Sequence, residues 1–204
     1  MIVYIADLKK VDFMHWENIK NIYVLTDIQA VLEKLKEIDD ELLNRQMKFK
    51  HFKVKNIDEY NSKYANEYHE PLKRIVFACD ELTEIFSEEN KVTKEIGTYL
   101  SRIARLGRAF GINLILSTQR PDCKVLDGQI KSNLDVRICG KADPILSEVI
   151  LGKGNTDADS LIPKDSQGIF LTNSNKRFQA YFFNQKILEK EKQGVDNNEY
   201  TPNN

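Results

Sequence analysis

Two short apolar runs, each cut off by polar residues, constrain this chain more than any other feature. Arg74-Ile75-Val76-Phe77-Ala78-Cys79 ends in Asp80-Glu81, and Ile112-Asn113-Leu114-Ile115-Leu116 ends in Ser117-Thr118-Gln119-Arg120-Pro121. Near-continuous apolar character over about five residues reads as a buried strand of a parallel sheet covered by helices. Ligands of such sheets meet the chain at the carboxyl ends of the strands, so chemistry is expected at 80–81 and 117–119. Adjacent acids there suit phosphoryl transfer: the first carboxylate can hold a magnesium shell and the second can orient or deprotonate water. Gln119 ends the following strand, where an amide can sense a γ-phosphate or position the attacking water. The plainer alternatives are a strand running into a charged turn and a polar strand end before a proline. No Gly-x-x-x-x-Gly-Lys-[Ser/Thr] occurs among the 204 residues, since Lys141 precedes Ala142 and Lys153 precedes Gly154. The functional reading of this pattern is a phosphate-hydrolysing site without its phosphate cradle.

The rest of the chain fits an α/β rhythm. Met1 to Ala6 is apolar and stops at Asp7-Leu8-Lys9-Lys10; a strand at the first residue suggests a chain cut from something longer. Thr26-Asp27-Ile28-Gln29 reads as a capping box with Thr26 as the cap, opening a helix whose Ile28, Val31, Leu32, Leu35, Ile38 and Leu42 share a face. Residues 44–72 continue that helix and then make a surface excursion around Asn56 to Glu70. A second helix carries Ile96, Tyr99, Leu100, Ile103 and Ala104 on its apolar face, with Gly111 as its left-handed terminator. Val125 to Ile130 and Val136 to Cys139 repeat the helix–strand unit, and Asp143-Pro144 starts a helix that ends near Gly152. Gly168 to Thr172 and Arg177 to Phe183 form an antiparallel hairpin that closes the sheet edge. Residues 1–185 are expected to form one domain, and 186–204 a polar, disordered tail.

Composition narrows the partners. Thirty basic and 31 acidic residues leave a net charge of -1, so any nucleic-acid contact must be local. Lys48-Phe49-Lys50-His51-Phe52-Lys53-Val54-Lys55 can touch a nucleic-acid backbone and stack on bases, or be an ordinary charged helix end. Cys79, Cys123 and Cys139 are odd in number and widely spaced, which fits reduced thiols in a cytoplasmic chain better than a disulfide framework. No apolar stretch reaches the roughly 18 residues a membrane span needs, so any membrane anchor lies on other segments or partners. Arg102, Arg105 and Arg108 recur every three residues along the second helix. Such spacing is ordinarily a solvated, salt-bridged flank; the sharper reading is a guanidinium reaching a neighbouring subunit's nucleotide. A magnesium-dependent nuclease built on Asp80 and Glu81 would need further acids, and Glu84 is the only extra nearby.

Taken together, Ile75 to Glu81, Ser101 to Ile112, Ser117-Thr118-Gln119-Arg120-Pro121 and Gly128-x-Ile130-Lys131-x-Asn133 followed by Arg137 resemble the FtsK/SpoIIIE family of DNA-translocating ATPases. The match is specific over roughly residues 72 to 140, and Ile2 to Lys9 is similar to the family's second strand and Asp-Pro-Lys turn, with Leu8 in place of Pro. The resemblance implies a RecA-like P-loop NTPase-type parallel sheet flanked by helices, with an antiparallel C-terminal hairpin and its first, Walker A strand missing. It further implies an oligomeric ring, a hexamer, around double-stranded DNA, in chromosome segregation or conjugative transfer. ATP and Mg2+ would be its cofactors. By position, Asp80 matches the Walker B magnesium-associated Asp, Glu81 the catalytic acid, Thr118 and Gln119 the polar sensor motif, and Arg108 the arginine finger. The missing strand is expected to leave a gap between neighbours in the sheet and to expose apolar edges. Without a phosphate loop these residues alone are expected to bind ATP weakly and turn it over negligibly. The alternative role is a non-hydrolysing subunit that completes or regulates such a ring, lending Arg108 to another chain's site.

Overall fold

A computed structural model of the chain describes residues 1–65, 70–119, 121 and 128–182. Strands β1 (Ile2–Ala6), β2 (Ile22–Leu25), β3 (Ile75–Cys79) and β4 (Ile112–Leu116) form one sheet in the order β2-β1-β3-β4, every pair parallel. Ile2, Ile75 and Ile112 stand in register, as do Ala6, Cys79 and Leu116. Side chains alternate along each strand, so Tyr4, Phe77 and Leu114 point one way while Ile5, Ala78 and Ile115 point the other.

The first of these faces is covered by two long helices, α1 (Ile28–Phe52) and α4 (Lys91–Leu106). Val31, Leu35, Ile38 and Leu42 from α1 meet Ile96, Leu100 and Ile103 from α4 over Phe77, and all are essentially shut off from solvent. The i, i+3, i+4 spacing of these apolar residues puts each set on one stripe, which is why both helices settle on the same sheet face. Asp39 on α1, buried, pairs with Arg102 on α4 and locks the two helices together. Arg45, also buried, donates to the carbonyls of Phe110 (2.7 Å) and Lys73 (2.9 Å), tying α1 to the approaches of β4 and β3.

Several sequence expectations change here. The cap of α1 is Asp27, whose extended backbone aims its carboxylate at the Ala30 amide (2.8 Å); Thr26 is not the cap, and Gln29 bonds Glu33 instead of reaching back. The expected surface excursion begins with a helix, α2 (Ile57–Tyr64), capped by Asn56 and held by a second core in which Phe49 stacks on Tyr60 and Phe110. Phe49 is therefore packing material rather than a platform for bases, while Lys48, Lys50, Lys53 and Lys55 stand in solvent. α4 begins with a capping box between Asn90 and Thr93. It continues as a 3-10 turn, Gly107–Phe110, and Gly111 (φ 72°) ends that turn in the left-handed region, as the sequence predicts.

No gap opens in the sheet: β1, β3 and β4 are hydrogen-bonded neighbours throughout. Among the described residues β4 has no strand partner on its outer side, and the sheet's second face is covered unevenly, with Ile5 on β1 buried. Ile115 on that face is 60% exposed, although the run containing it has the composition of a strand buried on both sides. The exposed part of this face therefore lies at the β4 edge.

The strand expected at Val136 to Cys139 also moves. β5 (Ile138–Cys139) leaves the parallel sheet and pairs antiparallel with β6 (Ile169–Thr172), which pairs with β7 (Arg177–Gln179). Only Cys139 of its two residues is buried, and a half-buried strand suits a one-sided antiparallel sheet. α6 (Pro144–Leu151), capped by Asp143 with Pro at its start as expected, and α7 (Asp157–Ser160) pack on the inner face of this small sheet around Leu151, Ala158, Ile162 and Leu171. The hairpin thus belongs to a separate sheet rather than closing the edge of the first. Cys79 and Cys139 are free and buried, while Cys123 and the 186–204 tail lie outside the described residues. Among the described residues no helix is long and apolar enough to cross a membrane.

Candidate active site

Strands β1, β3 and β4 deliver their carboxyl ends to one edge of the sheet, and three segments meet there. Leu82 donates its amide to the Ser117 carbonyl (2.9 Å) and Ser117 to the Cys79 carbonyl (2.9 Å), so the residues after β3 and β4 are fixed to each other. Asp80 donates its amide to the Ala6 carbonyl (3.2 Å), which ties it to β1. Glu81 is only 7% exposed. It is the cap of the short helix α3 (Leu82–Ile85), accepting from the Thr83 amide (3.1 Å) and the Thr83 hydroxyl (2.8 Å) with one oxygen. Its other oxygen accepts the Gln119 backbone amide (3.0 Å). Thr118 donates its hydroxyl to the same carboxylate and lies 3.3 Å from the Thr83 hydroxyl.

The structure therefore brings Asp80, Glu81, Thr118 and Gln119 into one cluster. It does so through the Gln119 backbone, leaving that residue's side chain exposed at the rim. Asp7, read in the sequence only as part of a turn, and Thr83, which the sequence reading leaves out, also take part. Asp7, fully buried, accepts the amides of Lys10 (2.9 Å) and Phe13 (3.0 Å) and shapes the turn after β1; an Asp that ends a strand three residues before a turn is the available signal. Thr83 is hidden inside an apolar-charged stretch that carries no helix signal.

Electrostatics sets the two acids apart. Burial pushes the Asp80 carboxyl above the usual range, and repulsion from Asp12, Asp7 and Glu81 adds to it against the pull of Lys9. Burial acts the same way on Glu81, but there the hydrogen bonds from Thr118, Thr83 and Gln119 outweigh it and hold the carboxyl below the usual range. Crowded, partly exposed and short of donors, Asp80 fits a magnesium-associated carboxylate: a divalent cation would relieve its repulsion, with phosphate oxygens and water supplying the other ligands. A folded-state pKa raised above the unfolded one destabilises the fold wherever the group is ionised, and this cost disappears as pH falls below the ordinary carboxylate range. Asp80→Asn is accordingly expected to raise the melting temperature at pH 7, with the gain shrinking toward zero in acid, as thermal unfolding across a pH series would show.

Arg108 lies elsewhere. It sits in the 3-10 turn before β4, at the amino edge of the sheet, so the length of a five-residue strand, about 16 Å, separates that edge from the acids. Its side chain is 85% exposed and ion-paired with Asp135. Arg102 is committed to Asp39, and Arg105 is exposed on the flank of α4. A groove of about 1040 Å³ between the segment Phe86 to Glu89, α4 and α5 (Gly128–Ser132), lined by Phe86, Gly97 and Ile130 among others, is also separate from the acid cluster.

Comparisons with known proteins identify the family and the fold. The sequence model of the FtsK/SpoIIIE family matches residues 2–123. The DNA translocase FtsK of Campylobacter jejuni is 32% identical over 161 residues, covering 73% of this chain and 17% of that protein. FtsK of Helicobacter pylori J99 is 31% identical over 191 residues, 90% of this chain and 22% of that protein. The chain thus spans about a fifth of the length of these relatives. The pCW3 conjugation coupling protein TcpA, solved with ATPγS, superposes with a TM-score of 0.80 at 37% identity over 91% of this chain and 53% of that one. The cytoplasmic domain of the Thermomonospora curvata type VII secretion ATPase EccC shares the fold, with a TM-score of 0.72 at 19% identity over all of this chain and 25% of that one. With the family pattern covering more than half of its residues, and with the acids, the Thr-Gln pair and the parallel strands placed as above, this chain belongs to the FtsK/SpoIIIE family.

Proposed function

We propose that these residues form the water-activating half of an ATP-driven double-stranded DNA translocase. Asp80 attends the magnesium of a bound nucleotide, Glu81 orients and deprotonates the attacking water, Thr118 and Gln119 sense the γ-phosphate, and Arg108 completes a neighbour's site in a homo-oligomeric ring, a hexamer. The observation that carries this reading is the hydrogen-bonded junction of Glu81 with Thr118 and Gln119 at the carboxyl edge of a parallel sheet. The position of Arg108 at the opposite edge supports a role in another subunit's site rather than its own. ATP's phosphates need a glycine-rich loop and a lysine, which these 204 residues lack, and the edge of β4, unpaired among the described residues and beside the exposed Ile115, could receive a strand that brings them. The DNA translocase and conjugation coupling functions named for the relatives suggest chromosome segregation or conjugative transfer, at the cytoplasmic side of a membrane.

In the complete protein, double-stranded DNA is expected to stimulate magnesium-dependent phosphate release from ATP, while the 204 residues alone release almost none. Absence of DNA stimulation in the complete protein would defeat the reading. The lack of a phosphate loop in this sequence also favours a second reading, a non-hydrolysing subunit that completes or regulates a ring. Only then would the short chain stimulate a complete partner, and only through Arg108.

A further inference from the structure

We propose that Asp135 is a positioning residue for Arg108, holding the guanidinium in the direction needed to enter a neighbouring subunit's nucleotide site. The inference rests on the reading of Arg108 as an arginine finger. The backbone beneath Arg108 is rigid: a Cβ on Gly107 would stand 2.4 Å from the Ile112 carbonyl oxygen, so the 3-10 turn is pressed directly onto the start of β4. The side chain is not. At 85% exposure it has no packing to choose a rotamer, and its ion-pair partner is Asp135. That carboxylate is carried by a backbone fixed from a distance. Asn173, in the turn between β6 and β7, donates its side-chain amide to the Asp135 carbonyl (3.2 Å). It accepts from the Arg137 amide (3.0 Å) and gives its own amide to the Arg137 carbonyl (3.0 Å). The small antiparallel sheet thereby aims a carboxylate at the finger.

An ion pair this exposed adds little to stability, so its consequence is directional. An arginine already confined near its working orientation loses less freedom when it meets a phosphate, and the benefit appears in the transition state rather than in ground-state binding. The sequence does not single out Asp135, because a lone acid in a polar loop has no pattern; its meaning comes only from the fold.

The test uses the complete protein and DNA-stimulated ATPase kinetics. Asp135→Asn is expected to lower kcat about 2–5-fold with the KM for ATP and the melting temperature unchanged, Asp135→Glu to restore most of the loss, and Asp135→Asn to have no further effect in an Arg108→Ala background. A wild-type or raised kcat in Asp135→Asn, with Arg108→Ala still strongly impaired, would overturn the positioning role and leave the finger standing. An Arg108→Ala protein with normal kcat would overturn the finger reading itself, and this proposal with it.

Discussion

Glu81→Gln in the complete protein is expected to cut DNA-stimulated kcat by about 10²–10⁴, the range a positioned general base contributes, while ATP binding persists. The substitution preserves size and removes the charge that draws a proton from water. It also disturbs the site in a way the geometry makes specific. Both carboxylate oxygens accept hydrogen bonds, one from Thr83 and the other from the Gln119 amide. An amide has only one acceptor oxygen, so whichever way the introduced side chain turns, its NH2 faces an N–H donor. Leaving one such buried donor unmatched costs about 1–3 kcal/mol, so the variant should melt lower as well as turn over more slowly. Steady-state ATPase rates together with nucleotide-binding titrations and thermal unfolding separate the two losses. Unchanged turnover would remove Glu81 from the chemistry.

The same hydrogen bonds shape the pH response. Because they hold the Glu81 carboxyl below the ordinary glutamate range, this residue remains ionised well into mild acid, and the stability it contributes is lost only as pH falls through that lowered value. Asp80 behaves oppositely, since burial and the neighbouring Asp12 and Asp7 raise it.

How far the sequence reveals this arrangement differs from element to element. The runs ending at Asp80-Glu81 and Thr118-Gln119 announce both strands and the polar cluster at their ends, because a buried parallel strand needs continuous apolar residues and stops where polar ones begin. The long helices are equally readable from their 3.6-residue periodicity, and the family resemblance adds Arg108. What stays hidden depends on contacts distant in sequence. Phe49 and Tyr60 turn a basic stretch into part of a core only once α1 and α2 fold together. Cys139 and Leu171 draw the short strand β5 out of the main sheet, and no local pattern in a two-residue strand foretells which sheet it joins. Arg45 looks like one more surface cation, yet two backbone carbonyls make it a buried clamp. Strand order defeats the expectation of a gap, since apolar composition says that a strand is covered without saying by which neighbour.

Arg108→Ala is expected to reduce kcat of the complete protein by about 10³–10⁵, the range supplied by an arginine that stabilises charge on a transferring phosphoryl group. The fold adds a stronger requirement than the size of the loss. Arg108 occupies the amino edge of the sheet and the acids its carboxyl edge, so one subunit cannot bring both to the same phosphate without dismantling β4. On the proposed reading, a site combines Glu81 of one subunit with Arg108 of the next, through a head-to-tail interface of the kind that closes into a ring. Mixing Arg108→Ala subunits with Glu81→Gln subunits, each inactive alone, should recover activity. With random assembly at equal ratio, about a quarter of the interfaces join an intact Glu81 to an intact Arg108, and ATPase activity should approach that fraction of wild type. If the two residues served the same subunit's site, every site in the mixture would carry a defect and no activity would return.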